Sequence, residues 1–199
     1  RNVISANTWA GIMLDGNTTG ANVFGNYIGP SSGLASIAGS AQWEGLEIWG
    51  NNNNIGGWQA GRANNIGFNT LTGVYVIGPS NLISRNPIYN TSPSFADRAI
   101  NIMDNCGNAC YASPTIIAAT AATAGGTAAN NTDSVELFKT DAGCLNALTY
   151  LGTAVVSGGA WTVSGLSLVS GDQLIANVRN NTNNNTSEFS PCLLVALPI

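Results

Sequence analysis

Short stretches in which apolar and polar residues alternate recur through the first half of the chain. Two of them, Ile12–Leu14 and Val74–Val76, follow an I-x-x-N-x-x-x-G pattern with identical spacing, at Ile4–Gly11 and at Ile66–Gly73. Side chains alternate across a β-strand, so the first and third residues of each stretch share a face. Strands this short cannot bury a face alone. The pattern therefore predicts strands that stack on copies of themselves.

Further copies of the pattern are interrupted or partial. Two copies break after the asparagine and resume later: Val23–Asn26 continues at Gly45–Ile48, and Ile83–Asn86 continues at Ala99–Ile102. A third copy, Asn54–Gly57, is incomplete. Such uneven spacing favours a solenoid with insertions at its corners, among them Pro30–Gly33 and Asn90–Pro93. The repeated asparagine suits a corner, where it tolerates left-handed geometry and bonds its counterparts in neighbouring turns. The repeated glycine suits a tight bend. A plain β-sandwich over residues 1–112 is the alternative.

The alternation also assigns an inner and an outer face. The predicted inward pairs are Ile12 and Leu14, Leu46 and Ile48, Val74 and Val76, and Ile100 and Ile102. The residues between them form a predicted outward column, flanked by four tryptophans: Met13, Glu47, Tyr75 and Asn101, with Trp9, Trp43, Trp49 and Trp58. Aromatic faces stack on sugar rings and anchor protein interfaces, so this is the candidate contact surface. The alternative is that the tryptophans pack against the corner insertions.

A different pattern begins near Pro114. Four alternating strands are separated by Gly or Asn turns: Ser134–Lys139, Tyr150–Val156, Trp161–Val163 and Gln173–Val178. Their spacing is typical of a β-sandwich. The Ala-, Gly- and Thr-rich stretch Ala118–Thr132 is interpreted as a first strand and turn rather than a linker.

Several of these motifs resemble a known family. Asn2–Asn7, Gly25–Gly29 and Asn54–Gly57 resemble the right-handed parallel β-helix repeats of large secreted bacterial surface proteins, which are related in fold to pectate lyases and periplasmic copper-associated β-helix proteins. Asn185–Ser190 resembles the closing strand of the immunoglobulin-like domains that follow such β-helices. The resemblance implies an all-β fold: a right-handed parallel β-helix (solenoid) over residues 1–112, capped by a small β-sandwich over residues 113–199.

Composition narrows the function classes. Charged residues make up 8% of the chain, with six basic residues, no histidine and a net charge of −4. Nucleic-acid binding needs many Lys and Arg side chains to neutralise phosphates, so it is a poor candidate. The apolar stretch Cys192–Ile199 is far shorter than the roughly 20 residues of a membrane-spanning helix. We therefore expect a protein that neither binds nucleic acid nor spans a membrane.

The four cysteines indicate a secreted protein or one at the cell surface. An even number and the near absence of lysine favour disulfides, and three pairings are open. We favour Cys106 with Cys110 and Cys144 with Cys192, because each pair would then join residues of one module. Four reduced cysteines are the alternative, and a zinc site is disfavoured because no CxxC occurs.

Candidate catalytic groups are sparse. Without histidine, Ser-His-Asp and Cys-His arrangements are impossible. Glu44 and Glu47 are the nearest pair of carboxylates for glycoside hydrolysis, but we expect two solvated surface acids. Asp97, Arg98 and Asp104 best fit a pectate-lyase site, but we expect a surface ion pair and a turn cap. The sequence therefore predicts no enzyme and no cofactor.

Two functions follow as expectations. The first is a non-catalytic extracellular structural protein, a stalk, adhesin or filament subunit that associates head to tail. It rests on an open β-helix end at Arg1, where the chain begins within a repeat, and on an apolar tail able to join a neighbour's sheet: Leu193, Leu194, Val195, Ala196 and Leu197. The alternative is a carbohydrate-binding module or a polysaccharide-active enzyme, with a surface glycan as its partner.

Overall fold

The protein is all-β. The structure, a computed structural model, describes residues 1–37, 42–89, 99–103 and 107–197, and none of them forms an α-helix. Strands up to residue 103 pair in parallel, and those from residue 115 onward pair antiparallel. We call residues 1–103 the parallel module and residues 111–197 the antiparallel module. No described segment is a helix long and apolar enough to cross a membrane.

The parallel module contains eleven described strands in three sheets. In chain order these are β1 (Val3–Ile4), β2 (Ile12–Leu14), β3 (Asn22–Val23), β4 (Tyr27–Ile28), β5 (Leu46–Ile48), β6 (Asn54–Gly56), β7 (Asn65–Gly67), β8 (Val74–Val76), β9 (Leu82–Ser84), β10 (Ile88–Tyr89) and β11 (Ile100–Ile102). Sheet one is β1-β4-β7-β10, sheet two is β2-β5-β8-β11, and sheet three is β3-β6-β9. The chain thus returns to the same sheet with every third strand, an arrangement compatible with a solenoid.

The register of sheet two follows the alternation seen in the sequence. Ile12 aligns with Leu46, Val74 and Ile100, and Leu14 aligns with Ile48, Val76 and Ile102. The central pairs of this inner face are fully buried. Sheets one and three contribute their own columns of buried residues to the same core: Ile28, Ile66 and Ile88, and Val23, Ile55 and Ile83. A continuous apolar core therefore runs between the three sheets.

The first part of each interrupted copy belongs to a different sheet from the first part of the intact copies. Val23 and Ile83 align with Ile55 in sheet three, whereas Ile4 and Ile66 lie in sheet one. The interpretation of these copies as the same strand with an insertion is therefore wrong. Both kinds of strand end at a corner that uses asparagine, so the short motif cannot distinguish them. The segment after Asn26 begins with β4, and Asn90–Pro93 lies outside the described residues.

Columns of amide side chains hold the three corners together. At two corners each asparagine Oδ1 accepts the backbone N–H of the equivalent residue in the preceding turn: Asn26, Asn64 and Asn86, and Asn53, Asn81 and Asn108. At the third corner the side chains of Asn7, Gln42 and Asn69 bond one another in sequence. A residue with positive φ often precedes the asparagine, as Ser80 does before Asn81. The predicted bonds between corner asparagines are confirmed, but the left-handed geometry lies mostly at the residue before the asparagine and not at the asparagine itself.

The repeated glycine has a different role from the one expected. Gly11, Gly45 and Gly73 do not have positive φ. A Cβ on Gly73 would lie 2.1 Å from Ile88 Cγ2 and 2.8 Å from the carbonyl oxygen of Ala99, both in the next turn. The glycine is required because successive turns approach too closely for any side chain, and not because the backbone bends.

The antiparallel module contains two sheets. Its strands are β12 (Thr115–Ala119), β13 (Thr123–Thr127), β14 (Ser134–Thr140), β15 (Thr149–Val155), β16 (Ala160–Ser164), β17 (Gln173–Arg179) and β18 (Leu193–Leu194). They pair in the orders β12-β13-β16 and β15-β14-β17-β18. A second cluster of buried residues, which includes Leu137, Trp161 and Leu174, belongs to this module. The four strands predicted here all form, with small shifts at their ends.

Two sequence features of this module take definite positions. Cys144 is bonded to Cys192, one of the two pairings favoured from the sequence. Cys110 is also in a disulfide, but Cys106 lies outside the described residues. The apolar tail is not free, because Leu193 and Leu194 pair with β17 of the same chain and Val195 is buried.

The antiparallel module covers the last turn of the parallel module. It supplies acceptors for backbone N–H groups of that turn: Thr186 Oγ1 for Ile83 (3.0 Å), Glu136 Oε2 for Arg85 (2.9 Å), the Ala147 carbonyl for Ile88 (2.8 Å) and Glu188 Oε1 for Ile102 (2.8 Å). Phe138, Ala147 and Ile175 also pack into the core of the parallel module. The antiparallel module thus covers strand edges and apolar core at this end of the parallel stack.

The buried Glu136 carboxyl makes the junction of the two modules sensitive to pH. Burial raises the pKa of this carboxyl above 4.5, although bonds from Ser84 and the Arg85 N–H, and the charges of Arg179 and Arg85, act in the opposite direction. The folded state therefore holds a proton at pH values where the unfolded state has released it. Stability from this group is present at low pH and falls as the pH rises through the raised pKa.

Glu136→Gln is expected to remove this pH dependence, because the amide keeps the shape of the side chain but does not titrate. Urea unfolding of both proteins between pH 4 and 8 measures the effect. We expect the stability of wild type relative to the variant to fall as the pH rises. The change of this stability difference with pH is the test. A difference that is the same at every pH would reflect the loss of attraction to Arg85 and Arg179. A relative stability that rises with pH would contradict the expectation.

Candidate functional site

The outer face of sheet two carries the predicted column in register. Met13 aligns with Glu47, Glu47 with Tyr75, and Tyr75 with Asn101. Met13 is exposed, whereas Tyr75 and Asn101 are half-buried. Glu47 departs from the expectation of a solvated acid, because only 4% of its surface is exposed. Something other than the protein core must therefore cover this carboxylate.

Two tryptophans cover and bind Glu47. The Trp9 Nε1–H donates to Glu47 Oε2 at 2.6 Å, and the Trp49 Nε1–H donates to Glu47 Oε1 at 2.9 Å. Each carboxylate oxygen thus accepts one indole N–H, a charge-assisted bond that is stronger than a neutral one. The two rings are held in fixed orientations by one side chain of the strand beneath them.

A third tryptophan completes the group. The ring centroids of Trp9 and Trp43 lie 4.7 Å apart with planes inclined by 40°. The backbone N–H of Trp43 donates to the backbone carbonyl oxygen of Trp9. Trp9, Trp43 and Trp49 are 50%, 43% and 49% exposed. We call these three residues, with Glu47 between them, the tryptophan cluster. Its indole N–H groups at Glu47 are satisfied, while large aromatic surfaces remain open to solvent.

Glu44 brings a second carboxyl to this region. Burial raises the pKa of Glu44 above its ordinary value of 4.5, and the Glu47 charge raises it further. One of its oxygens, Oε2, is buried and has no hydrogen-bond partner among the described residues. The two acids therefore interact, which the sequence did not predict.

The basic side chains that the structure describes are engaged elsewhere. Arg1 lies over Tyr27, Arg62 over Phe24, Arg85 over Tyr150, Lys139 bonds Asp172, and Arg179 acts on Glu136. Arg98 is outside the described residues. Within the described part of the chain, the carboxyl groups of Glu44 and Glu47 therefore have no basic side chain as a partner.

Trp58 does not belong to this surface. It follows β6 in sheet three, is 65% exposed, and its carbonyl oxygen accepts a bond from the Arg85 guanidinium. Trp58 therefore lies apart from the rest of the predicted contact surface, which adjoins sheet two. The candidate lyase residues Asp97, Arg98 and Asp104 lie outside the described residues.

The chain matches no protein-family model, no curated protein and no solved structure.

Proposed function

We propose that this protein is a right-handed parallel β-helix with an immunoglobulin-like β-sandwich at one end, and that it is a non-catalytic extracellular protein that binds carbohydrate at the tryptophan cluster. The observation that carries the proposal is the pair of indole N–H bonds to Glu47, which fixes two half-exposed rings. The Cys144–Cys192 disulfide is compatible with an extracellular location.

Fixed, exposed aromatic rings favour a binding function on physical grounds. Exposed tryptophans grouped on one face are the kind of apolar patch that marks an interaction site. Sugar rings present flat C–H faces that stack on indoles. Because Glu47 already orients the rings of Trp9 and Trp49, binding would cost little conformational entropy. The inclined pair Trp9 and Trp43 offers surfaces at two angles, which suits a twisted glycan chain.

The alternatives have less support. Head-to-tail association remains a prediction, but the antiparallel module occupies the last turn of the parallel module, and Leu193 and Leu194 already pair with β17. Glycoside hydrolysis needs carboxyl groups that can reach the scissile bond. Glu47 accepts an indole N–H at each oxygen and is covered by the rings. Its geometry fits orientation of the tryptophans better than attack on a substrate.

Substitution of the cluster tests the proposal. Affinity electrophoresis in gels containing soluble polysaccharides should show retardation of the wild-type protein by at least one of them. Trp9→Ala and Trp43→Ala should each weaken binding about tenfold or more, because truncating an aromatic anchor costs about 1–2 kcal/mol. Trp58→Ala is the matched control, since it removes a more exposed tryptophan outside the cluster.

Two outcomes would count against carbohydrate binding at this face. One is that no polysaccharide in a broad panel retards the wild-type protein. The other is that Trp58→Ala weakens binding as much as Trp9→Ala does, which would place the site elsewhere. Circular dichroism spectra of each variant establish that it is folded.

A further inference from the structure

We infer that the glycan bound at the tryptophan cluster is cationic, a polymer of amino sugars whose amines are free and protonated; this inference rests on the proposed function. The carboxyl groups of the site favour a positively charged ligand. Glu44 and Glu47 lie within electrostatic reach of each other, and each basic side chain that the structure describes has its partner elsewhere.

The buried carboxylate makes the site selective for charge. Glu47 is 4% exposed, so water screens its field less than it would screen a surface acid. Its two indole partners are dipoles and carry no net charge. The faces of the same indoles are negative at the ring centre and attract cations. An ammonium group over the cluster would therefore gain from the carboxylate and from the rings together.

Glu44 supplies a second reason. Its Oε2 is buried without a hydrogen-bond donor among the described residues, which is costly for a polar atom. Because solvent does not reach this oxygen, a bound ammonium would act on the Glu44 carboxyl through its charge and not through a hydrogen bond to Oε2. An N-acetyl group in the same position carries no charge, and a uronic acid would be repelled. The site thus distinguishes sugars by the charge on one substituent.

The test compares β-1,4-linked hexasaccharides of equal length: glucosamine, N-acetylglucosamine and glucose. Isothermal titration at pH 6 and low salt should show glucosamine hexamer binding about tenfold more tightly than the other two, as expected for a desolvated ammonium over an aromatic face. The preference should shrink in high salt. Glu44→Gln should reduce it about fivefold or more. Asp172→Asn, which removes the same charge beside Lys139 in the antiparallel module, should leave it in place.

The outcomes separate this inference from the proposed function. Equal binding of all three hexamers, or tighter binding of an uncharged one, would overturn cation selectivity while carbohydrate binding stands. An equal loss of preference in Glu44→Gln and Asp172→Asn would also overturn it, because net charge rather than the site would then be responsible. Absence of binding to these hexamers and to every other glycan would overturn both cation selectivity and carbohydrate binding.

Discussion

Replacement of Asn81 by alanine is expected to lower the free energy of unfolding by about 3 kcal/mol, because each buried polar group left without a partner costs about 1–3 kcal/mol. Asn81 is fully buried. Its Oδ1 accepts the Asn53 N–H at 3.0 Å, and its Nδ2 donates to the carbonyl oxygens of Gly50 and Gly78 at 2.9 Å each. The substitution therefore leaves the Asn53 N–H and the Gly50 carbonyl oxygen unpaired, whereas the Gly78 carbonyl oxygen keeps its bond from the Asn108 N–H.

Urea unfolding followed by tryptophan fluorescence measures this loss. Asn22→Ala is the matched control, since Asn22 also bonds an asparagine in the next turn but is exposed. Its stability should change by less than about 0.5 kcal/mol. If Asn81→Ala lowers the free energy of unfolding by less than about 1 kcal/mol, water replaces the hydrogen bonds of the corner asparagine at little cost. The corner asparagines would then be tolerated rather than required.

Replacement of Phe138 by alanine should destabilise the protein by about 4 kcal/mol, within the range for large aromatic residues in a core. Phe138 is 1% exposed and lies edge-on to Tyr150 and Phe189, with ring centroids 5.6 and 5.4 Å away. It belongs to a strand of the antiparallel module but packs into the core of the parallel module. Its loss should loosen the junction between the two.

Hydrogen exchange distinguishes this junction effect from general destabilisation. Phe138→Ala should lower protection first at the Ile88 and Ile102 amides, whose acceptors come from the antiparallel module. Leu137→Ala is the control, because Leu137 is equally buried on the same strand but faces the other core. It should destabilise the protein without exposing these two amides early. The same exchange pattern in both variants would contradict a separate role for the junction.

Much of the fold could be predicted from the sequence because alternation fixes which side chains share a face. The register of Met13, Glu47, Tyr75 and Asn101 follows from that alternation together with the repeated glycine. The assignment of copies to sheets could not be predicted. Corners between different sheets use the same asparagine chemistry, so Val23 resembles Ile4 in its local motif although it pairs with Ile55.

The candidate site was predicted only in outline. The sequence placed Glu47 on the outer face but did not show its burial, because one of the rings that cover it, Trp9, comes from the preceding turn, 38 residues earlier. Trp58 joined the predicted surface because nearness in sequence does not identify the corner on which a residue lies. A buried carboxylate between two indoles depends on contacts between turns, which no local pattern contains.

The glycine column has a consequence for how such a protein can change its length. Gly11, Gly45 and Gly73 each face a backbone carbonyl of the following turn, and the fourth position of this column is Ala99, under the antiparallel module. A methyl group fits where no further turn follows. Tandem duplication of the final turn would carry this alanine into the interior of the stack, where it would collide with backbone. The parallel module can therefore gain turns before Ala99 without this collision. An extra turn after Ala99 requires this residue to be replaced by glycine.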